Sequence, residues 1–248
     1  MLKSIYLLVS FLFLGFGVYG QEAISSSDQM TMQSVYREII TPAQKPENEV
    51  QGVFQVPVVV HVMHLGEPVG QGVNISDADV RAGIRDLNNR WRKMPGTVGD
   101  GNGVDMEIEF VLAVQDPDGN PTNGIVRKEI KNDEYIKDGV EIGGWSHWDI
   151  LSAGMNIKEL KDKSKWPENS YINIWIVSKI NGSDACHDDV IVGGANFGFI
   201  SVNNDHPGLI MPVCRYLNKN QVDNPVMTHH VGLLFCLMHP FSDDSPNE

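Results

Sequence analysis

Hydrophobic and polar positions along the chain fall into a few periods, and each predicts an element. The stretch Val56-Pro57-Val58-Val59-Val60-His61-Val62 is almost wholly β-branched. Such a run predicts a strand buried on both faces. Ser76 then stands as an N-cap, with Asp79 three residues on as the acidic member of a capping pattern. Val80, Ile84, Leu87 and Trp91 follow at i, i+4, i+7 and i+11, which lays one apolar stripe along a helix. Residues 106–114 alternate and then turn apolar, predicting a strand that enters the core, and residues 171–177 give the plainest strand of the chain. Residues 131–168, with Trp145, His147, Trp148 and Trp166, are mixed and predict short helix and loop. The Gly-rich residues 193–200 predict an exposed strand or loop. No internal repeat or low-complexity tract interrupts this order.

The first residues change the picture of where the chain works. Lys3 precedes an apolar run from Ile5 to Val18, and small Gly20 comes before Gln21. That is the pattern of a secretory signal over residues 1–20, with cleavage near Gly20-Gln21. The run is too short to span a bilayer, and no later segment is longer and as apolar. A secreted, extracellular or periplasmic protein without a membrane span is expected. Residues 21–52 are polar, carry Pro42 and Pro46, and show no hydrophobic period. They predict a prosegment or linker, leaving residues 53–248 as the folded domain. The net charge of −13 argues against nucleic acid as a partner. The 3 cysteines, Cys186, Cys214 and Cys236, allow one disulfide. Cys186–Cys214 is the expected pair, because Cys236 is predicted to lie on a helix.

That helix carries the candidate chemistry. Thr228-His229-His230-Val231-Gly232-Leu233-Leu234-Phe235-Cys236-Leu237-Met238-His239 keeps the frame of the zinc-protease signature H-E-x-x-H-x-x-G-x-x-H. His229 and His239 occupy the first and third ligand positions. Leu233 stands in the second, His230 in the place of the general-base Glu, and Cys236 in that of the bend glycine. Ligands at i and i+4 share one helix face and can grip one ion. Leu233 has no lone pair to offer. His230 lies about 100° further around the helix, away from that face. His61 and His64 read as packed strand residues. The pair Asp116 and Asp118, within Asp116-Pro117-Asp118-Gly119-Asn120-Pro121, reads as turn chemistry rather than a calcium site.

Several segments in order resemble one family. "VPVVVHVMHLGEPVGQGVNISDADVRAGIRDLNNRWR", "IEFVLAVQDPDGNPTNGIVR", "YINIWIVSKING" and "THHVGLLFCLMHPF" look like the pappalysin family of metzincin metallopeptidases, over about residues 54–241. The resemblance implies an α/β fold: a zincin-like upper subdomain, with a twisted mixed sheet and an active-site helix. It also implies that most of the lower subdomain is missing, since the chain reaches Glu248 soon after His239. It further implies a secreted zinc endopeptidase acting on a protein or peptide laid antiparallel along the 193–200 edge, and it allows a calcium ion. Carried over residue by residue, it assigns metal binding to His229 and His239 and leaves the catalytic position to His230. Zinc should therefore be bound weakly or not at all, and the expected protein is a catalytically inactive homologue. The alternatives are an active zinc endopeptidase in which Cys236 supplies a third ligand, and a truncated chain that does not fold stably.

Overall fold

The computed structural model describes residues 52–141, 153–183, 194–195, 208–217, 226–235 and 237. All but Gly52 belong to the unit Val53–Glu248.

A sheet organises this unit. Strand β1 (Phe54–His64) is its centre, and its residues 58–63 are all buried. On one edge β1 pairs in parallel with β2 (Ile108–Leu112) along residues 54–58, and then with β3 (Ile125–Glu129) along residues 60–64. On its other edge comes β6 (Ile172–Val177), then β8 (Leu209–Pro212), both parallel, and last β7 (Gly194–Ala195), antiparallel to β8. The predicted strands are present. Residues 106 and 107 fall outside β2, where Glu107 takes a positive φ of 54° that extended pairing does not allow. Val114 is 80% exposed, so the chain leaves the core before it. Strands β3 and β8 are additions to the sequence reading. Between β2 and β3 the chain turns back at Gly124, whose φ is 72°. A Cβ there would lie 2.7 Å from the Ala113 amide nitrogen, so only glycine passes.

Helix α1 (Asp77–Trp91) begins as its capping residues dictate: Asp79 N–H donates to Ser76 Oγ at 3.1 Å, and the Asp79 carboxylate accepts from Ser76. Val80, Ile84, Leu87 and Trp91 are buried against the β1 face formed by Val58, Val60 and Val62. Asn88 reaches sideways from α1 to β2. It donates to Phe110 O at 2.8 Å and accepts from Phe110 N–H at 2.7 Å. On the opposite face lie α2 (Asp133–Asp138), the short parallel pair β4 (Val140–Glu141) and β5 (Met155–Asn156), and α3 (Ile157–Asp162). Met63, Tyr135, Leu160, Trp175 and Ile210 form the core there. The expectation of short helix and loop over 131–168 agrees with α2 and α3, while the two-residue strands β4 and β5 are additions to it; Trp145, His147 and Trp148 lie outside the described residues. Among the described residues, no helix is long and apolar enough to cross a membrane.

Candidate metal-site helix

After β8 come α4 (Val213–Tyr216) and α5 (Val226–Leu234), the helix that carries the degenerate motif. Val226, Met227 and Val231 bury α5 in the α1 face of the sheet, so it stands on the core and beside β7, β8 and α1. Helix α4 is held by Tyr216, whose buried hydroxyl donates to Val80 O of α1 at 2.7 Å.

This packing decides what each motif position presents. His229 is exposed and His230 half-buried, with ring centroids 5.1 Å apart and planes at 87°. Leu233, one turn beyond His229, is only 6% exposed. Burial of such a side chain stabilises the fold by roughly 1.5–3 kcal/mol. Position 233 thus contributes packing and no lone pair. Helix α5 ends at Leu234: Phe235 N–H turns back to Val231 O and Gly232 O at 3.1 and 3.0 Å, and Leu237 N–H to Gly232 O at 3.0 Å. Cys236 and His239 lie outside the described residues. Cys214 is disulfide-bonded, and its partner also lies outside them.

The edge beside α5 depends on a strand the sequence reading missed. Gly208 has a φ of 147°, and a Cβ on it would meet Trp175 Cζ3 at 2.5 Å and Asn173 O at 2.7 Å. Its bare backbone lets β8 lie against β6, and β8 in turn carries β7 through Ile210 opposite Gly194 and Leu209 opposite Ala195. The described part of the Gly-rich segment is thereby an edge strand next to α5. The signal was a short apolar run, Leu209-Ile210-Met211, bounded by Gly208 and Pro212.

The other candidates are packed or engaged. His61 is fully buried, with Nε2 2.9 Å from Asn173 Oδ1. Burial lowers its pKa to about 4, against the raising effect of the Asn173 bond. His64 Nδ1 accepts from Gly66 N–H at 3.1 Å. Asp116 Oδ1 accepts from the N–H groups of Asp118 and Asn120 at 3.0 and 2.8 Å, so this carboxylate closes its own turn, and the structure gives calcium no support.

Catalytic zinc takes three protein ligands and an open position. Among the described residues, no group of three or more His, Cys, Asp or Glu side chains stands close enough to hold a metal ion. The described donors of α5 therefore do not fit a catalytic zinc site.

No family model and no curated protein sequence matches this chain. Solved structures do. Mirolysin, a metzincin-type metallopeptidase, solved in complex with compound 9, is 24% identical with a TM-score of 0.55, over 78% of this chain and 67% of that one. Mature mirolysin of Tannerella forsythia in complex with a cleaved peptide is 25% identical with a TM-score of 0.50, over 79% of this chain and 68% of that one. The chain has the fold of the metzincin-type metallopeptidases.

Proposed function

We propose that this protein is an exported, pappalysin-like homologue of the metzincin peptidases that has lost hydrolysis and serves as a peptide- or protein-binding module. The observation that carries the reading is Leu233. At the position where a second imidazole would join His229, the chain places an apolar side chain and buries it. Loss of a partner one shell further out weakens such metal sites about 10–100-fold, and loss of a ligand itself costs more. His230 in the general-base position is a half-buried imidazole rather than a carboxylate, and direction as well as pKa decides whether a base can reach its proton. The sheet edge at β7 lies beside α5. A peptide strand added there would be held by backbone hydrogen bonds that need no metal. The peptide seen with mirolysin supports that class of ligand.

The deciding experiment combines metal analysis with an activity assay on the purified mature protein. The expected results are far less than one zinc per chain and no cleavage of casein or gelatin. Cleavage that a zinc chelator abolishes would overturn the reading and make Cys236 the first residue to substitute. Replacing His230→Glu and Leu233→His together should recover zinc affinity more than activity. N-terminal sequencing of the exported protein tests the leader: a start at Gln21 is expected, and retention of residues 1–20 would refute it.

A further inference from the structure

Asn102, Asn123 and Asn181 each precede a glycine. Such a pair is labile in principle, because the glycine nitrogen, with no side chain beside it, can approach the asparagine carboxamide closely. Whether it does so depends on what already holds the two groups, and the fold treats the three pairs differently.

Asn123 is locked at the atoms that would have to move. Its Nδ2 donates to Asp77 Oδ2 at 3.1 Å, and its Oδ1 accepts from Ile125 N–H at 3.1 Å. The buried Gly124 donates its N–H to Thr122 Oγ1 at 3.2 Å. Asn181 and Gly182, with φ of 49° and 76°, form a tight turn closed by Ile180 N–H on Ser183 O at 2.8 Å and Ser183 N–H on Ile180 O at 2.9 Å. Gly182 N–H donates to Asp138 O at 2.8 Å, so that nitrogen is engaged too. Asn102 and Gly103 are both exposed, and neither has a hydrogen-bond partner among the described residues. The Asp-Gly pairs repeat the division. Gly119 N–H donates to Asp116 O at 3.0 Å and Gly139 N–H to Tyr135 O at 2.9 Å, while Gly101 N–H has no acceptor among the described residues. Asp100, however, accepts from Gly96 N–H at 2.9 Å, and an ionised carboxylate is a poor electrophile.

We propose that Asn102 is a site of spontaneous deamidation and isomerisation, singled out by the fold from three like dipeptides. The Gly103 nitrogen loses its proton to solvent and attacks Asn102 Cγ. The new N–Cγ bond replaces Cγ–Nδ2, and Nδ2 leaves as ammonia with a proton from water. Water then opens the resulting succinimide at Cγ, giving aspartate, or at the main-chain carbonyl carbon, giving isoaspartate. One water is consumed and one ammonia released, no oxidant or reductant is needed, and the chain gains a negative charge. The flanks of the site are fixed to the end of α1. A Cβ on Gly99 would stand 1.9 Å from Asn89 O, Arg92 Nε donates to Asp105 at 2.9 Å, and Met106 N–H donates to Trp91 O at 2.9 Å. The extra backbone atom of isoaspartate therefore falls in the bridge of residues 100–104, and the fold survives it.

Peptide mass mapping of the full chain during incubation at mildly alkaline pH, folded and in urea, tests this. In the folded chain Asn102 should convert about tenfold or more ahead of Asn123 and Asn181, each of which must first break hydrogen bonds. In urea the three should convert at similar rates, which separates the effect of the fold from that of the dipeptide. A Cβ on Gly103 meets nothing within 4 Å, so Gly103→Ala should fold normally and slow conversion at Asn102 in both conditions. Aspartate and isoaspartate at position 102 are both expected among the products. Folded-state conversion at Asn123 or Asn181 as fast as at Asn102 overturns the proposal, as does an Asn102 that persists in the folded chain while the unfolded chain converts.

Discussion

The two faces of the sheet are built on opposite principles. Towards α1 and α5, Val58, Val60, Val62, Ile174, Ile176, Leu209 and Met211 meet Val80, Ile84, Leu87 and Val231 in an almost wholly apolar core. Towards α2 and α3, the alternate residues of the same strands include His61 and Asn173, and Lys161 arrives from above; all three are buried. An apolar core responds to volume and hardly at all to pH. A buried imidazole does respond to pH, because an added proton puts a charge where burial disfavours it. The residues that resemble a peptidase site thus stand on the more apolar face, while the buried histidine and lysine lie on the other.

Substitutions can break or sharpen this contrast. The largest effect is expected from Trp175→Ala, which removes the fully buried indole that His61 and Lys161 share. It should cost about 3–5 kcal/mol in urea unfolding. Leu87→Ala on the α1 face should cost a comparable 2–5 kcal/mol, roughly. The discriminating readout is pH: Leu87→Ala should keep the acid dependence of the unmodified protein between pH 6.5 and 4, and Trp175→Ala should flatten it by letting water reach His61. Identical pH profiles for the two variants would dissolve the contrast. A smaller loss is expected from Gly83→Ala, where the new Cβ would stand 2.5 Å from Tyr216 Cε1. That ring is buried and anchored by its hydroxyl, so the clash should outweigh the helix propensity gained and lower stability by about 1–2 kcal/mol. The smallest effect belongs to Ser76→Ala, which removes the α1 cap at a cost of about 1 kcal/mol. A calorimetric melting temperature unchanged by Ser76→Ala would show that the capping pair is not needed in the folded chain.

What could be read from the sequence was whatever a local period or cap encodes. Helix α1 was legible from Ser76 to Trp91 because its cap, stripe and length all agree. Strands β1 and β6 were legible because burial on both faces leaves a continuous apolar run. Strand β3, Ile-Val-Arg-Lys-Glu, was not, since an edge strand with exposed charge carries neither alternation nor an apolar run. Strand β8 was missed for its length of 4 residues. At the candidate site, the identities at 229, 230 and 233 could be read directly, and the direction of His229 out of the core could not. That direction follows from which stripe of α5 meets the sheet, and a helix this apolar offers more than one choice. The contact of His61 with Asn173 was equally hidden, because the two lie 112 residues apart in the chain.

The grip of Asn88 on Phe110 has a consequence for how the protein behaves in a crowd. Strand β2 forms part of an outer margin of the sheet, where unpaired backbone groups ordinarily recruit strands from other molecules. One amide side chain from α1 occupies both the N–H and the C=O at the midpoint of this five-residue strand. Beyond β2 the margin breaks at the Gly124 turn and resumes in β3, whose Arg127, Lys128 and Glu129 are charged. A foreign strand would find no uninterrupted template there. Replacing Asn88 would do more than loosen a helix from a strand; it would leave the N–H and C=O of Phe110 open to a foreign backbone at that one point of the margin.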